Sequence, residues 1–251
     1  MIPIERETFD AAALFLEHPP IWNHAAKHAV FDMVVSRNGS FAGTIHYTRW
    51  DQEALPAALM QRSNCTIQNG VYAYPAPADD SDVHWHVNFA DPHLFIAYGS
   101  SLMAQDEIQA AEHPALGSVY EALRSKGLPT LTATPQGRAT PVTIAGVERH
   151  CSVDTMPRPE RGRPRGLYGN LFASATAQQI KDAVDVLTPP TISNIVAMAA
   201  PYPSSGRYTA AQIASVVNTA YTAFAAAKQE TTRLHGDSAS TTVHSGHWGC
   251  G

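Results

Sequence analysis

The chain predicts an α/β layered fold with a mixed or mostly parallel sheet, and two observations point there. Strand-like and helix-like segments alternate over its second two-thirds, the pattern that stacks helices on a sheet. No internal repeat and no convincing linker interrupts the 251 residues, and 44% hydrophobic content with 16% charge is enough apolar material for a substantial core. We therefore expect a single domain over 1–251, with 1–82 carrying no recognisable motif and 83–251 carrying the motifs described below.

Taken in order, Thr8 to His18 predicts a short helix, with Thr8 at the cap, an early acid and an Ala/Leu/Phe face. Val30 to Val35 and Gly43 to Thr48 have the β-branched and aromatic content of strands, and Asn64 to Tyr74 is a further candidate. A polar, Pro-rich loop over 75–82 leads into a strand at Val83 to Ala90. Helical spacing then runs from Ala104 to Arg124, broken at His113-Pro114, where proline removes a backbone donor. Thr130 to Thr134 and Val142 to Val153 read as strands, and Met156 to Gly166 as a basic loop. Thr176 to Val186 reads as a helix and Ile192 to Ala199 as a buried strand. Thr209 to Gln229 is the longest helix, with Ile213, Val216, Val217, Ala220, Tyr221 and Phe224 as its expected apolar stripe. Ser240 to His244 is a last strand before a Gly-rich tail.

A net charge of −5 leaves no electrostatic footprint for double-stranded nucleic acid, although backbone amides at turns still bind phosphate without a basic surface. Three cysteines, widely separated and odd in number, form neither a disulfide framework nor a zinc knuckle and suit a reducing compartment. With no apolar leader and no run of eighteen apolar residues, the expectation is a cytoplasmic protein without a membrane partner. No cofactor or metal is expected.

Two stretches carry chemistry. Phe89-Ala90-Asp91 reads as the end of a buried strand, followed by Gln105-Asp106-Glu107 at a helix start. Paired acids there are favoured by the helix dipole alone; a functional role needs one to face a cleft, where desolvation raises its pKa. The tail Gly246-His247-Trp248-Gly249-Cys250-Gly251 fits a tight turn whose backbone approaches phosphate, against the alternative of a frayed end. Both follow strand ends, where α/β sheets bind ligands. His84 and His86 share one strand face near Asp82 but lack an evident third ligand, so satisfied histidines are the expectation. The four arginines of the basic loop are read as solvated.

Phe89-Ala90-Asp91 through Gln105-Asp106-Glu107, with Ile108 and His113-Pro114-Ala115-Leu116, resembles the signature of poly(ADP-ribose) glycohydrolase-type macrodomains. There Asp-Phe-Ala-Asn leads into a triple-glycine loop, Gln-Glu-Glu and Pro-Glu-Leu. Asn218 to Phe224 looks like the family's Asn-Lys-Ala-Tyr-Cys-Gly-Phe helix, and Ser245 to Gly251 is similar to its Thr-Gly-Asn-Trp-Gly-Cys-Gly phosphate loop. The resemblance implies a macrodomain-like mixed sheet sandwiched between helices, with an ADP-ribose-like molecule or ADP-ribosylated substrate as partner. It implies Glu107 as the general acid/base of a glycosidic-bond hydrolase acting on an ADP-ribose-like or NAD-derived ligand, and Asp106 as the family's first glutamate. Asn88, Asp91, Gln105 and Gly246 to Gly251 would bind substrate. The chain departs from the family where Phe95, Ile96 and Ala97 stand for the triple glycine, Asn88 and Asp91 exchange the family's Asp and Asn, and His247 replaces an asparagine. A non-catalytic ADP-ribose or nucleotide binder is the alternative, and a pocket plugged by Phe95 and Ile96 a third reading.

Overall fold

The computed structural model describes residues 1–58, 64–201 and 206–249. Its elements run β1 (Pro3–Asp10), α1 (Ala11–Glu17), α2 (Ala25–Asn38), β2 (Thr44–Trp50), β3 (Asp82–Ala90), α3 (Gln105–Glu112), α4 (Ala115–Ser125), β4 (Val142–Val153), α5 (Ala177–Lys181), β5 (Val184–Ala199), α6 (Ala210–His235) and β6 (Ser240–His244). The six strands form one mixed sheet in the order β1-β2-β4-β5-β3-β6. The β1–β2, β2–β4 and β4–β5 pairs are antiparallel, whereas β3 runs parallel to both β5 and β6. Helices cover both faces, so the predicted fold class, a mixed sheet between helices, is the one observed.

Strand β3 shows how the layers divide. Successive side chains of a strand point to opposite faces. Val83, Trp85 and Val87 join a cluster with Ala223 and Ala227 of α6, and the Trp85 indole donates to Thr231 Oγ1 at 2.9 Å. His86 and Asn88 point the other way, where Asn88 meets α3. On that face Leu94, Phe95, Leu116, Val119 and Leu123 close a larger core against Ile45, Tyr47, Ile144 and Ile195.

Several predicted elements change type. Val30 to Val35 lies inside α2, not in a strand: Ala26, Lys27, Val30 and Val34 are buried at helical spacing, and Gly39 ends the helix at φ +68°. Thr8 sits in β1, and the cap of α1 is Asp10, whose Oδ1 accepts from the Ala13 amide at 2.9 Å. Residues 64–74 form no strand; Tyr72 and Tyr74 instead pack their rings against His86. Thr130 to Thr134 contributes only isolated bridges, at Leu131 and Ala133. The segment read as one helix over 176–186 divides, because α5 stops at Lys181 and β5 already begins at Val184.

The stripe of α6 is also displaced. Thr219, Thr222, Ala223, Ala226, Ala227, Glu230 and Thr231 are its buried residues, while Ile213, Val217 and Phe224 are exposed. Small side chains let the helix lie close on the sheet, and Glu230 is neutralised there by Arg6 at 2.7 Å and Arg233 at 2.7 Å.

The loop that follows β3 is anchored to the start of α2. The Gly99 carbonyl accepts from the Asn23 and His24 amides at 2.9 and 3.1 Å. A Cβ on Gly99 would stand 2.2 Å from the Ile21 carbonyl oxygen, a backbone atom that cannot swing aside. Gly99→Ala should therefore lower the unfolding free energy by about 2–3 kcal/mol, the usual penalty of overpacking. Urea denaturation checks this, and a loss below about 0.5 kcal/mol, the range of neutral surface changes, would contradict it.

Candidate functional site

The carboxyl ends of β3 and β5 lie side by side, with Phe89 opposite Met198 in the parallel register. Strand β6 pairs with β3 only as far as His86. Beyond that point the Gln105 side chain takes over the strand edge: its Oε1 accepts from the Phe89 amide at 2.7 Å and its Nε2 donates to the Val87 carbonyl at 2.9 Å. One glutamine thus seats the start of α3 on the end of β3.

The tail leaves β6 at the same place. A Cβ on Gly246 would stand 3.3 Å from the Phe89 ring, so the chain passes closely over that side chain. The Trp248 indole donates to the Met198 carbonyl at 3.0 Å and packs on the core beneath α6. Gly249, at φ +75°, turns the chain above Ala200 and Val216 in a conformation that suits glycine. The tail is a packed turn as far as Gly249, while Cys250 and Gly251 lie outside the described residues.

Asp106 and Glu107 are both buried, at 7% and 3% exposure. Asp106 accepts from Asn88 Nδ2 at 2.9 Å, and the same amide group donates to Gln109 Oε1 at 2.9 Å. Burial pushes the Asp106 carboxyl up to about 7, aided by the neighbouring Glu107 and Asp91 charges and opposed by Asn88 and Lys27. Glu107 Oε2 accepts from the Ala104 amide at 3.0 Å, the reciprocal half of a capping box. Asp91 is exposed and ties its own loop together through the His93 amide at 2.8 Å. The structure thus gathers Asn88, Gln105, Asp106, Gly246 and Trp248 around the end of β3, whereas Glu107, at the same helix start, is buried with its side chain held by the Ala104 amide.

The loop standing where the family has glycines is built differently. Phe95 adopts φ +54°, a left-handed conformation costing a non-glycine residue about 1–2 kcal/mol, and offsets it by full burial in the core. Ile96 is 55% exposed. The amides of Ile96, Tyr98 and Ser100 are consumed by turns onto His93, Phe95 and Ala97. An open cavity of about 600 Å³ lies beside this loop, lined by Ile96, Tyr98, Gly99, Tyr120 and Glu121 among others, and includes none of the predicted site residues.

Three residues near the site went unread in the sequence. Lys27 of α2 is buried against the Tyr98 carbonyl, hidden because it precedes Val30 to Val35, which reads as a strand, so no helix was expected around it. Gln109 and Tyr74 extend the Asn88 network, Gln109 Nε2 donating to the Tyr74 hydroxyl at 3.0 Å. The position of Gln109 one turn beyond Gln105 was the available signal for the first; Tyr74 had none.

His84 is satisfied, lying 3.0 Å from Asp82 Oδ2 and 3.0 Å from His244. His86 is not: both ring nitrogens lack a partner, and the ring is stacked between Tyr74 at 4.1 Å and His244 at 4.6 Å. Among the described residues no group of three or more His, Cys, Asp or Glu side chains is placed to hold a metal ion, and no helix is long and apolar enough to cross a membrane.

The fold is similar to the crystal structure of a poly(ADP-ribose) glycohydrolase from Thermomonospora curvata, at a TM-score of 0.41 and 14% identity over 98% of this chain and 67% of that one. A likeness of that degree carries no information about activity. No protein-family model matches the chain, and no curated protein matches it in sequence.

Proposed function

We propose that this chain binds an ADP-ribose-like ligand at the carboxyl ends of β3 and β5 and hydrolyses its glycosidic bond. The observation that carries the reading is the meeting at Phe89: the Gln105 side chain holds its amide while Gly246 of the tail turn passes against its ring. The two segments that resemble the family's catalytic and phosphate-binding motifs, with Glu107 and Ser245 138 positions apart on the chain, thereby share one end of the sheet.

In this reading Glu107 gives its proton to the departing oxygen as the bond to the anomeric carbon breaks. It then takes a proton from the water that attacks the oxocarbenium-like centre, so the side chain ends as it began. Asp106, poised near neutrality and held by Asn88, orients the ribose hydroxyls, with Asp91 beside it. Amides of the 246–249 turn receive the diphosphate, as backbone N–H groups do at such turns.

The alternative, a binder without turnover, is favoured by one observation. Glu107 is 3% exposed and its Oε2 is held by the Ala104 amide, so general acid work requires its other oxygen to reach substrate from a buried position. Calorimetry with ADP-ribose, beside release of ADP-ribose from a mono-ADP-ribosylated protein, separates the two. Glu107→Gln should lose about 10²–10⁴-fold in turnover, the usual contribution of a general acid, with ADP-ribose affinity unchanged within about threefold. Heat without product from the wild-type chain selects the binder, and absence of heat rejects both.

A further inference from the structure

Three histidines and an aspartate line one side of the parallel seam between β3 and β6. His86 lies opposite His244 in the register, and the two rings stack at 4.6 Å. Two residues earlier on β3, His84 Nδ1 lies 3.0 Å from His244 Nε2, and His84 Nε2 lies 3.0 Å from Asp82 Oδ2. Asp82 is fixed in turn by the Ala78 amide at 3.1 Å and the Ser240 hydroxyl at 3.3 Å. The string runs Asp82–His84–His244, with His86 closing its inner side, while α6 packs on the opposite face against Trp85 and Val243. His244 is the last residue of β6 and of its pairing, so the tail turn leaves the sheet from this ring.

A bond between two imidazole nitrogens holds only while one of them keeps its lone pair. The Asp82 carboxylate fixes a proton on His84 Nε2, so with both rings neutral His84 Nδ1 accepts from His244 Nε2–H. One added proton is tolerated, because a His84 cation donates to the carboxylate at one end and to His244 at the other. A second proton sets N–H against N–H, and the bond is lost. His86 cannot take that proton instead: it is 3% exposed, both its ring nitrogens lack a partner among the described residues, and burial, His244, His113, His84 and Arg149 together keep it neutral. On His244 burial and His84 oppose the charge, and Asp82 favours it. His247 of the tail is exposed and takes up its own proton in solvent.

We propose that the His84–His244 bond is an acid-sensitive clasp on the root of the tail turn. With one added proton or none it holds the end of β6 against β3, and with it the turn that passes over Phe89; with two it lets go. The release is local. It frees a five-residue edge strand that is paired on one side only, while the β3–β5 register from Trp85 to Ala90 is made without it. That ADP-ribose binding weakens in acid as a result rests on the reading of the turn as the diphosphate site; the clasp itself does not.

The test is histidine-resolved NMR and amide hydrogen exchange on the ligand-free chain between pH 7.5 and 4.5. The His84–His244 pair should take up its two protons in separate steps about one unit or more apart, as coupled sites do. At the second step, protection of the amides from 243 to 247, corrected for intrinsic exchange, should fall about tenfold further than that of the β3–β5 amides, which report any global loss of stability. His244→Gln keeps the clasp at every pH, since its amide donates to neutral His84 or, turned over, accepts from the cation; the extra loss of protection should vanish there, although His247 is retained. Independent titration of the two wild-type rings overturns the proposal, and decides the matter even where His244→Gln fails to fold. So does a tail that loosens in acid as much in His244→Gln as in the wild-type chain. Calorimetry with ADP-ribose at pH 7 and 5 reads the consequence: affinity should drop about tenfold or more in the wild-type chain and stay within about threefold in His244→Gln. Absence of binding at both pH values defeats the ligand reading, while the exchange data still decide on the clasp.

Discussion

Lowering the pH from 6.5 to 5 is expected to remove about 2 kcal/mol from the stability of this chain, and Asp106→Asn is expected to double that loss. His86 is pushed down to about 2 and His113 to about 3, both mainly by burial. Their folded-state values lie below the unfolded value of 6.5, so the stability they contribute is present above 6.5 and disappears as pH falls. At ~1.4 kcal/mol per unit and group, the two histidines cost ~4 kcal/mol by pH 5. Asp106 works in the opposite direction. Its carboxyl rises from 3.8 to about 7, so the folded chain holds a proton that the unfolded chain releases, and stability increases as pH falls from 7 towards 4. That returns ~2 kcal/mol between 6.5 and 5, and Asp106→Asn eliminates it.

The same substitution should stabilise the chain at pH 8 by up to ~4 kcal/mol, since it abolishes the cost of ionising a buried carboxyl. Asparagine still offers Asn88 an oxygen, so the network beneath α3 keeps its acceptor. Against a typical domain stability of roughly 5–15 kcal/mol these are large effects. Urea denaturation at pH 5, 6.5 and 8 measures them. His86→Phe, which retains the stack on Tyr74 and His244 without orphaned nitrogens, should flatten the acid limb. If His86→Phe shows the wild-type slope, the histidine account is wrong.

Arg149→Met should cost about 3–5 kcal/mol, the penalty of leaving a buried charge without its partner. Arg149 Nε lies 2.9 Å from Glu112 Oε2, and the two side chains are 11% and 6% exposed. The other Glu112 oxygen accepts from the Val153 amide at 2.9 Å, so this carboxylate ties α3 to the end of β4. Arg149 also lies over the Tyr74 ring at 4.0 Å and holds the loop that covers His86. Burial raises the Glu112 carboxyl and Arg149 is the chief force lowering it. Without the arginine it rises further, so the deficit of Arg149→Met should shrink in acid as Glu112 takes up a proton. Adding Glu112→Gln should recover most of the loss, because an uncharged amide needs no counter-ion. A single-variant cost below about 1 kcal/mol would show that the pair is solvated and not sealed under α3.

Elements whose local signals agree with their tertiary setting were legible in the residues. Strand β4 matches its predicted limits, as does β6: Val142, Thr143 and Ile144 open β4 and Val153 closes it, while Thr241, Thr242 and Val243 form the middle of β6. The break at His113-Pro114 was read from the missing proline donor alone. Illegible elements are those in which local composition pointed the wrong way. Val30, Val34 and Val35 favour a strand locally, yet the burial of Ala26, Val30 and Val34 on one side makes the segment a helix. The apolar residues of α6 misled for the opposite reason, since close approach to the sheet selects alanine and threonine over isoleucine and phenylalanine.

By itself, the amino-acid sequence determined the sheet-forming strands near the site, the acidic start of α3, and the glycine turn after β6, because proline, glycine and β-branched side chains act on their own backbone whatever surrounds them. Only the tertiary structure decided that Gln105 and Gly246 meet at Phe89, that Lys27 is buried on the Tyr98 carbonyl, and that burial pushes the Asp106 carboxyl up. Those outcomes depend on desolvation and on side chains brought together from distant parts of the chain, and both arise only when the chain has excluded water from between them.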